Sequence, residues 1–202
     1  MKKLRVAAIV PAAGLSSRMH AFKPLVTIAG KTIIEHVMEL FKTTGIDDIV
    51  VVVGHRSEEL IPVVEAASCR YVINVNYRDG MFSSIQEGVR ELSDTCDAFF
   101  LLPVDIPLVR PNSIRQLLDA FARDGSSLLC YPQFQSRRGH PPLIDSSLAN
   151  RILAYDGQDG LRGLLARYEN QAIVVPVEDP FILLDADTRE DLLYLRNASV
   201  IT

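Results

Sequence analysis

Two apolar patterns alternate along the chain. Short strand-like runs cover residues 4–10, 49–53, 70–74, 98–104 and 127–131. The run 49–53 is four valines after an isoleucine with no polar alternation, as expected of a strand buried on both faces. Between the runs, apolar residues fall at helical spacing. Ile33, Ile34, Val37, Met38, Leu40 and Phe41 make one stripe over 32–43, which Gly45 terminates. Ser57 followed by Glu58 and Glu59 reads as an N-cap with first-turn acids. A third helix covers 83–92, entered through Asp79-Gly80-Met81-Phe82, and a fourth runs from Pro111 at its first position to about Arg123. Strand–helix alternation over the first 130 or so residues predicts an α/β protein, with a mostly parallel central sheet and helices on both faces. The last third is less regular. A short helix over 161–168, strands over 172–176 and 181–184, and a helix beginning at Asp185-Ala186-Asp187-Thr188 are expected, the two late strands adding a small antiparallel edge.

Composition narrows the class. The 202 residues suit one large domain spanning 1–202, and a hydrophobic content of 48% argues against disorder. A net charge of −4 argues against a nucleic-acid surface, so basic residues act locally. Cys69, Cys96 and Cys130 form no paired framework, and the four histidines no zinc pattern. Buried thiols of a reducing compartment are the expectation. The first apolar run stops at Pro11, short for a signal peptide and far too short for a membrane span, so a soluble cytoplasmic protein is expected.

Chemistry concentrates at 10–23. The first strand opens into the small residues Ala12, Ala13 and Gly14, followed by Ser16 and Ser17 and by the cations Arg18 and Lys23. Small residues let backbone N–H groups approach an anion, and the cations add charge-assisted donors for phosphate oxygens. The stretch reads either as a phosphate cradle at the carboxyl end of the first strand or as a plain strand-to-helix turn with solvated charges. The dinucleotide fingerprint G-x-G-x-x-G is absent, and Gly30-Lys31-Thr32 lacks the first glycine of a P-loop because Leu25 stands there. Thr32 is then a helix N-cap.

Two acidic residues follow apolar runs directly. Asp105 ends the most apolar one and Asp185 follows 181–184. Each has an ordinary explanation, since Asp105 can cap the next turn and Asp185 can simply be solvated beside a helix start made by Asp187 and Thr188. Together, facing one phosphate loop, they form a coherent Mg²⁺ or Mn²⁺ site, because such a cation takes one or two carboxylates plus phosphate oxygens and water. Ser83 and Ser84 read as N-cap residues or as ribose or base contacts, with Asn74 and Gly80 shaping the same wall. Arg138 and His140, in the basic loop around Gly139, are candidates for an acceptor phosphate.

Ala12-Ala-Gly-Leu-Ser-Ser-Arg-Met19 with Lys23 closely resembles the signature loop of the nucleotidyltransferases that act on the molybdenum cofactor. Further matches run in order: Asn74 with Gly80-Met81 and Ser83-Ser84, Asp105 with Pro107, Gly139-His140-Pro141, and Asp185-x-Asp-Thr-x-Glu-Asp-Leu192. The resemblance spans essentially the whole chain. It implies a Rossmann-like three-layer nucleotidyltransferase fold and metal-dependent transfer of a nucleoside monophosphate with release of pyrophosphate. The Ala-Ala-Gly spelling resembles the cytidylyltransferase branch, which implies CTP, a molybdopterin acceptor and transient contact with a molybdoenzyme or its chaperone. His20 stands where the family usually has Gly, and Gln158 where a Gly-Asp-x-Gly-x-Arg pattern places its Asp. On this reading Ala12, Ala13, Gly14, Ser16 and Ser17 hold phosphates, Arg18 faces the departing pyrophosphate and Lys23 the α-phosphate. Asp105 and Asp185 hold the metal. Two other readings remain open: transfer to a sugar phosphate or another phosphorylated alcohol, and a nucleotide sensor or cofactor chaperone without turnover.

Overall fold

The computed structural model describes residues 4–15 and 21–198. The chain enters through β1 (Val6–Pro11), then a small antiparallel ribbon of β2 (Thr27–Ile28) and β3 (Lys31–Thr32). Strands and helices alternate from there: α1 (Ile33–Lys42), β4 (Asp48–Val53), α2 (Ser57–Ala66), β5 (Arg70–Ile73), α3 (Met81–Arg90), β6 (Ala98–Leu101) and α4 (Pro111–Asp124). The last third adds β7 (Leu129–Phe134), β8 (Arg137–Arg138), β9 (Leu143–Asp145), α5 (Ala149–Leu153), α6 (Gly160–Leu165), β10 (Ala172–Pro176) and α7 (Arg189–Ala198). The main sheet runs β10-β7-β9-β6-β1-β4-β5, with β8 folded back on β7.

Strand β1 lies between parallel partners, Ile9 sitting beside Val50 on one side and Leu101 on the other. Its residues alternate between two cores. Ala8 and Val10 join Phe41, Leu60, Phe100 and Leu117 under α1, α2 and α4. Ala7 and Ile9 join Ile85, Val89, Phe99, Ile152 and Leu164 under α3, α5 and α6. Burial on both faces explains why β4 reads as uninterrupted valine, and gives the expected helix–sheet–helix layering. No helix among the described residues is long and apolar enough to cross a membrane.

The last third departs from expectation in detail. Residues 172–176 do form a strand, but it pairs parallel to β7 at the sheet edge. The antiparallel members of the main sheet are β9, inserted between β6 and β7, and the short β8 on β7. The apolar run 181–184 is largely a 3₁₀ turn, Pro180–Leu183, because the buried carboxylate of Asp179 caps it through the Phe181 N–H at 3.0 Å. The same carboxylate accepts from the Arg110 N–H and the Ser113 hydroxyl, each at 2.8 Å, and so ties the start of α4 to that turn. The second helix has Arg56, in left-handed geometry, rather than Ser57 at its N-cap position.

Thr32 does cap α1, in a reciprocal box with Glu35: the Thr32 N–H donates to Glu35 at 2.7 Å and the Glu35 N–H to the Thr32 hydroxyl. The Thr32 hydroxyl bond holds the Glu35 carboxyl below its usual value of 4.5. A carboxyl pKa depressed by folding stabilises the native state above the unfolded value and stops doing so as pH falls through the folded one. Thr32→Ala should therefore cost about 1 kcal/mol at neutral pH and less in acid, measured by urea unfolding at both.

Gly88 sits in α3 where a Cβ would lie 2.3 Å from Ile9 Cγ2 and 3.1 Å from Val52 Cγ2. In an exposed helix Gly→Ala would stabilise by about 1 kcal/mol. Here α3 packs directly on the central strands, so Gly88→Ala should instead destabilise by about 1–3 kcal/mol in urea unfolding.

Candidate active site

The site forms where β1 and β6 end side by side. The sheet ladder continues past the strands, with Leu102 N–H bonding the Ile9 carbonyl at 3.0 Å and Val104 N–H the Pro11 carbonyl at 3.1 Å. That carries Asp105 alongside the loop at Ala12. The loop itself is pinned by Ala12 N–H to Val52 and by His55 N–H to the Ala13 carbonyl. A cavity of about 330 Å³ opens there, and Ala12, Ala13, Gly14, Lys23, Gly80, Ser84 and Asp105 all line it. Seven residues selected from the sequence thus share one pocket wall. Tyr77, Arg78 and Met81 line it as well, and no motif singled out Tyr77 or Arg78.

Lys23 is the electrostatic centre. Its side chain is 11% exposed, and its Nζ lies 2.6 Å from Asp187 Oδ1 and 3.4 Å from Asp105 Oδ2. The late segment reaches this point because the Ala186 N–H bonds the Asp105 carbonyl at 2.7 Å. Residue 187 rather than 185 turns toward Lys23. Asp185 is exposed, although its charge still acts on His140. Thr188 and Asp191, rather than the Asp187 carboxylate, cap α7, Asp191 Oδ2 accepting from the Thr188 N–H at 2.7 Å. That Thr-x-x-Asp box was readable in the sequence, and would have released Asp187 from the capping role.

Asn74 is 1% exposed. Its amide donates to the Ser83 and Ser84 hydroxyls at 2.9 Å each, and its carbonyl accepts from Asn76 N–H at 2.9 Å. This network locks the end of β5 to the start of α3. Asn74 and Ser83 therefore position the wall that Gly80 and Ser84 present to the cavity. Arg138 is engaged elsewhere, paired with Glu169 and stacked 5.1 Å above the Tyr131 ring. His140 stands beside the carboxylates: burial pushes its pKa down, while Asp105, the Leu101 carbonyl and Asp185 pull it back. Its Nδ1 is buried without a hydrogen-bond partner among the described residues. Ser16, Ser17, Arg18 and His20 lie outside the described residues. Gln158 lies in the loop before α6, its carbonyl accepting from the Tyr155 hydroxyl at 2.7 Å.

No three metal-ligating side chains converge among the described residues. The Asp105–Asp187 pair, held on the Lys23 ammonium beside the small-residue loop, offers hard oxygen donors. Such a pair fits a divalent cation that completes its shell with phosphate oxygens and water.

The profile of the MobA-like NTP transferase domain matches residues 8–172. The chain belongs to this family. The bifunctional protein GlmU of Syntrophomonas wolfei is 35% identical over 120 residues, covering 58% of this chain and 26% of that protein. This chain thus spans about a quarter of the length of that relative. Among solved structures, Rv0371c of Mycobacterium tuberculosis in complex with manganese superposes with a TM-score of 0.74 at 18% identity, over 96% of this chain and 99% of that one. A CMP:2-keto-3-deoxy-manno-octonic acid synthetase complexed with CTP gives 0.77 at 16%, over 98% and 99%. Both share the fold.

The approach of 139–140 to the turn before Asp185 is set by Gly139, where a Cβ would lie 2.3 Å from the Ile182 carbonyl oxygen. The next residue bonds the same carbonyl, His140 N–H donating at 2.8 Å. Gly139→Ala should lower stability by about 1–3 kcal/mol in urea unfolding. Gly14→Ala, whose Cβ would meet nothing within 4 Å among the described residues, should stay within about 0.5 kcal/mol of the parent.

Proposed function

We propose, from the premise that the chain belongs to the MobA-like NTP transferase family, that it acts as one nucleotidyltransferase domain. In this reading it transfers CMP from CTP to the terminal phosphate of molybdopterin and releases pyrophosphate. The observation that carries the proposal is the convergence of Lys23, Asp105 and Asp187 at the mouth of the small-residue loop. The Ala12-Ala13-Gly14 spelling supports CTP, and the fold shared with a synthetase complexed with CTP is consistent with it.

The acceptor phosphate oxygen attacks the α-phosphorus in line, and the bond to the β-phosphate breaks. Backbone N–H groups from Ala13 onward hold the β- and γ-phosphates, with Ser16, Ser17 and Arg18 completing the grip. Lys23 bonds the α-phosphate and stabilises the charge that grows on it. Asp105 and Asp187, with Asp185 beside them, would hold Mg²⁺ or Mn²⁺, which neutralises phosphate charge when bound. The wall at Gly80 and Ser84, braced by Asn74 and Ser83, receives ribose and base. Gly139 and His140 border the acceptor side, with Arg138 at its outer rim. Burial disfavours the charged form of His140, which suits it to hydrogen bonding rather than to supplying a counter-charge. Catalysis is positioning and electrostatics, with no covalent protein intermediate. The product would pass to a molybdoenzyme or its chaperone.

Pyrophosphate release, followed with each of the four nucleoside triphosphates and with molybdopterin or a sugar phosphate as acceptor, tests the reading. Release should require CTP, molybdopterin and a divalent cation, and Asp105→Asn should slow it at least about a hundredfold. Release only with a sugar phosphate would move the acceptor, and nucleotide binding without release would make the chain a sensor.

A further inference from the structure

The position of Lys23 has a consequence for how cation and nucleotide bind. A lysine nearly excluded from solvent requires a partner for its charge, and here one ammonium touches two carboxylates from segments far apart in sequence. Those carboxylates are the donors assigned above to the divalent cation. One of the two contacts is short, 2.6 Å to Asp187, and the other is long, 3.4 Å to Asp105. An ammonium at that point and a divalent cation held by the same two groups compete for the same negative charge.

We infer that Lys23 is the resident counter-ion of the Asp105–Asp187 pair, and that it leaves the pair for the nucleotide's phosphate when the divalent cation takes its place. The inference rests on the metal-dependent reading above only for the identity of the cation. Without nucleotide, the cation must compete with the ammonium for both carboxylates, so it binds weakly. A triphosphate in the loop of Ala12, Ala13 and Gly14 supplies a stronger anion for the ammonium and draws the lysine away. Binding of the two is then positively coupled, and by linkage each strengthens the other by the same factor. Lys23 thus serves twice: it offsets part of the carboxylates' charge before substrate arrives, and it meets the phosphate afterward.

The test needs no turnover. Mn²⁺ is titrated into nucleotide-free protein, with free Mn²⁺ followed by electron paramagnetic resonance, for the parent, Lys23→Met, Lys23→Gln and Lys23→Met with Asp187→Asn. Circular dichroism checks that each is folded, and Lys23→Gln stands in if Lys23→Met is not. Removing the ammonium should tighten Mn²⁺ binding about tenfold or more, and adding Asp187→Asn should abolish the gain. Unchanged or weaker binding without the ammonium overturns the inference, as does a gain that survives Asp187→Asn. Either result leaves pyrophosphate release as a separate question, since that assay is run on the parent protein with both substrates present.

Discussion

Everything in this molecule depends on one strand being buried on both faces. Strand β1 offers Ala7 and Ile9 to one core and Ala8 and Val10 to the other, so two helical layers are held apart by a single apolar ladder. A central parallel strand of this kind has its loops at one edge of the sheet, and the backbone beyond its carboxyl end must find other partners. In this chain the ladder simply continues. Bonds from Ala12, Leu102 and Val104 prolong the pairing by a few residues and carry the small-residue loop and Asp105 out of the core side by side. The site is the sheet's own register extended into solvent.

Charge is handled at that edge by convergence from a distance. Lys23 comes from a short turn after the loop, Asp105 from the central strand, and Asp187 from the approach to the last helix. The Asp179 carboxylate secures the last of these by joining the start of α4 to the turn at 180–183. Among the described residues two carboxylates meet one ammonium there, and such hard oxygen donors suit a divalent cation beside a phosphate.

Much of this was legible in the residues. The valine run of β4 and the stripe on α1 each had a single local explanation, and the structure keeps both; the small residues after β1 had two, and they line the cavity. The seven cavity-lining residues picked out in the sequence were found by chemistry and motif together. Legibility failed where tertiary contacts decide local structure. Residues 181–184 look like a strand, but Asp179 and Pro180 turn them into a 3₁₀ segment. Leu143–Asp145 is too short to announce itself, yet it enters the middle of the sheet. Arg138 has the composition of a phosphate ligand, but Glu169 and Tyr131 occupy it. Asp187 was seen as part of a helix start, and only the hydrogen bond between Ala186 and Asp105 reveals which way it faces.

Lys23 and Asp187 are separated by 164 positions along the chain. Closing so long a loop carries an entropic cost that local contacts do not, and contacts of this kind tend to form after the nearby ones. The phosphate loop and Asp105 belong to the portion synthesised first, and the strands around them can pair early. The second carboxylate arrives only with the final helix. The strands around the small-residue loop can therefore pair before Asp187 is in place, and the contact at Lys23 is completed only when the approach to the last helix docks.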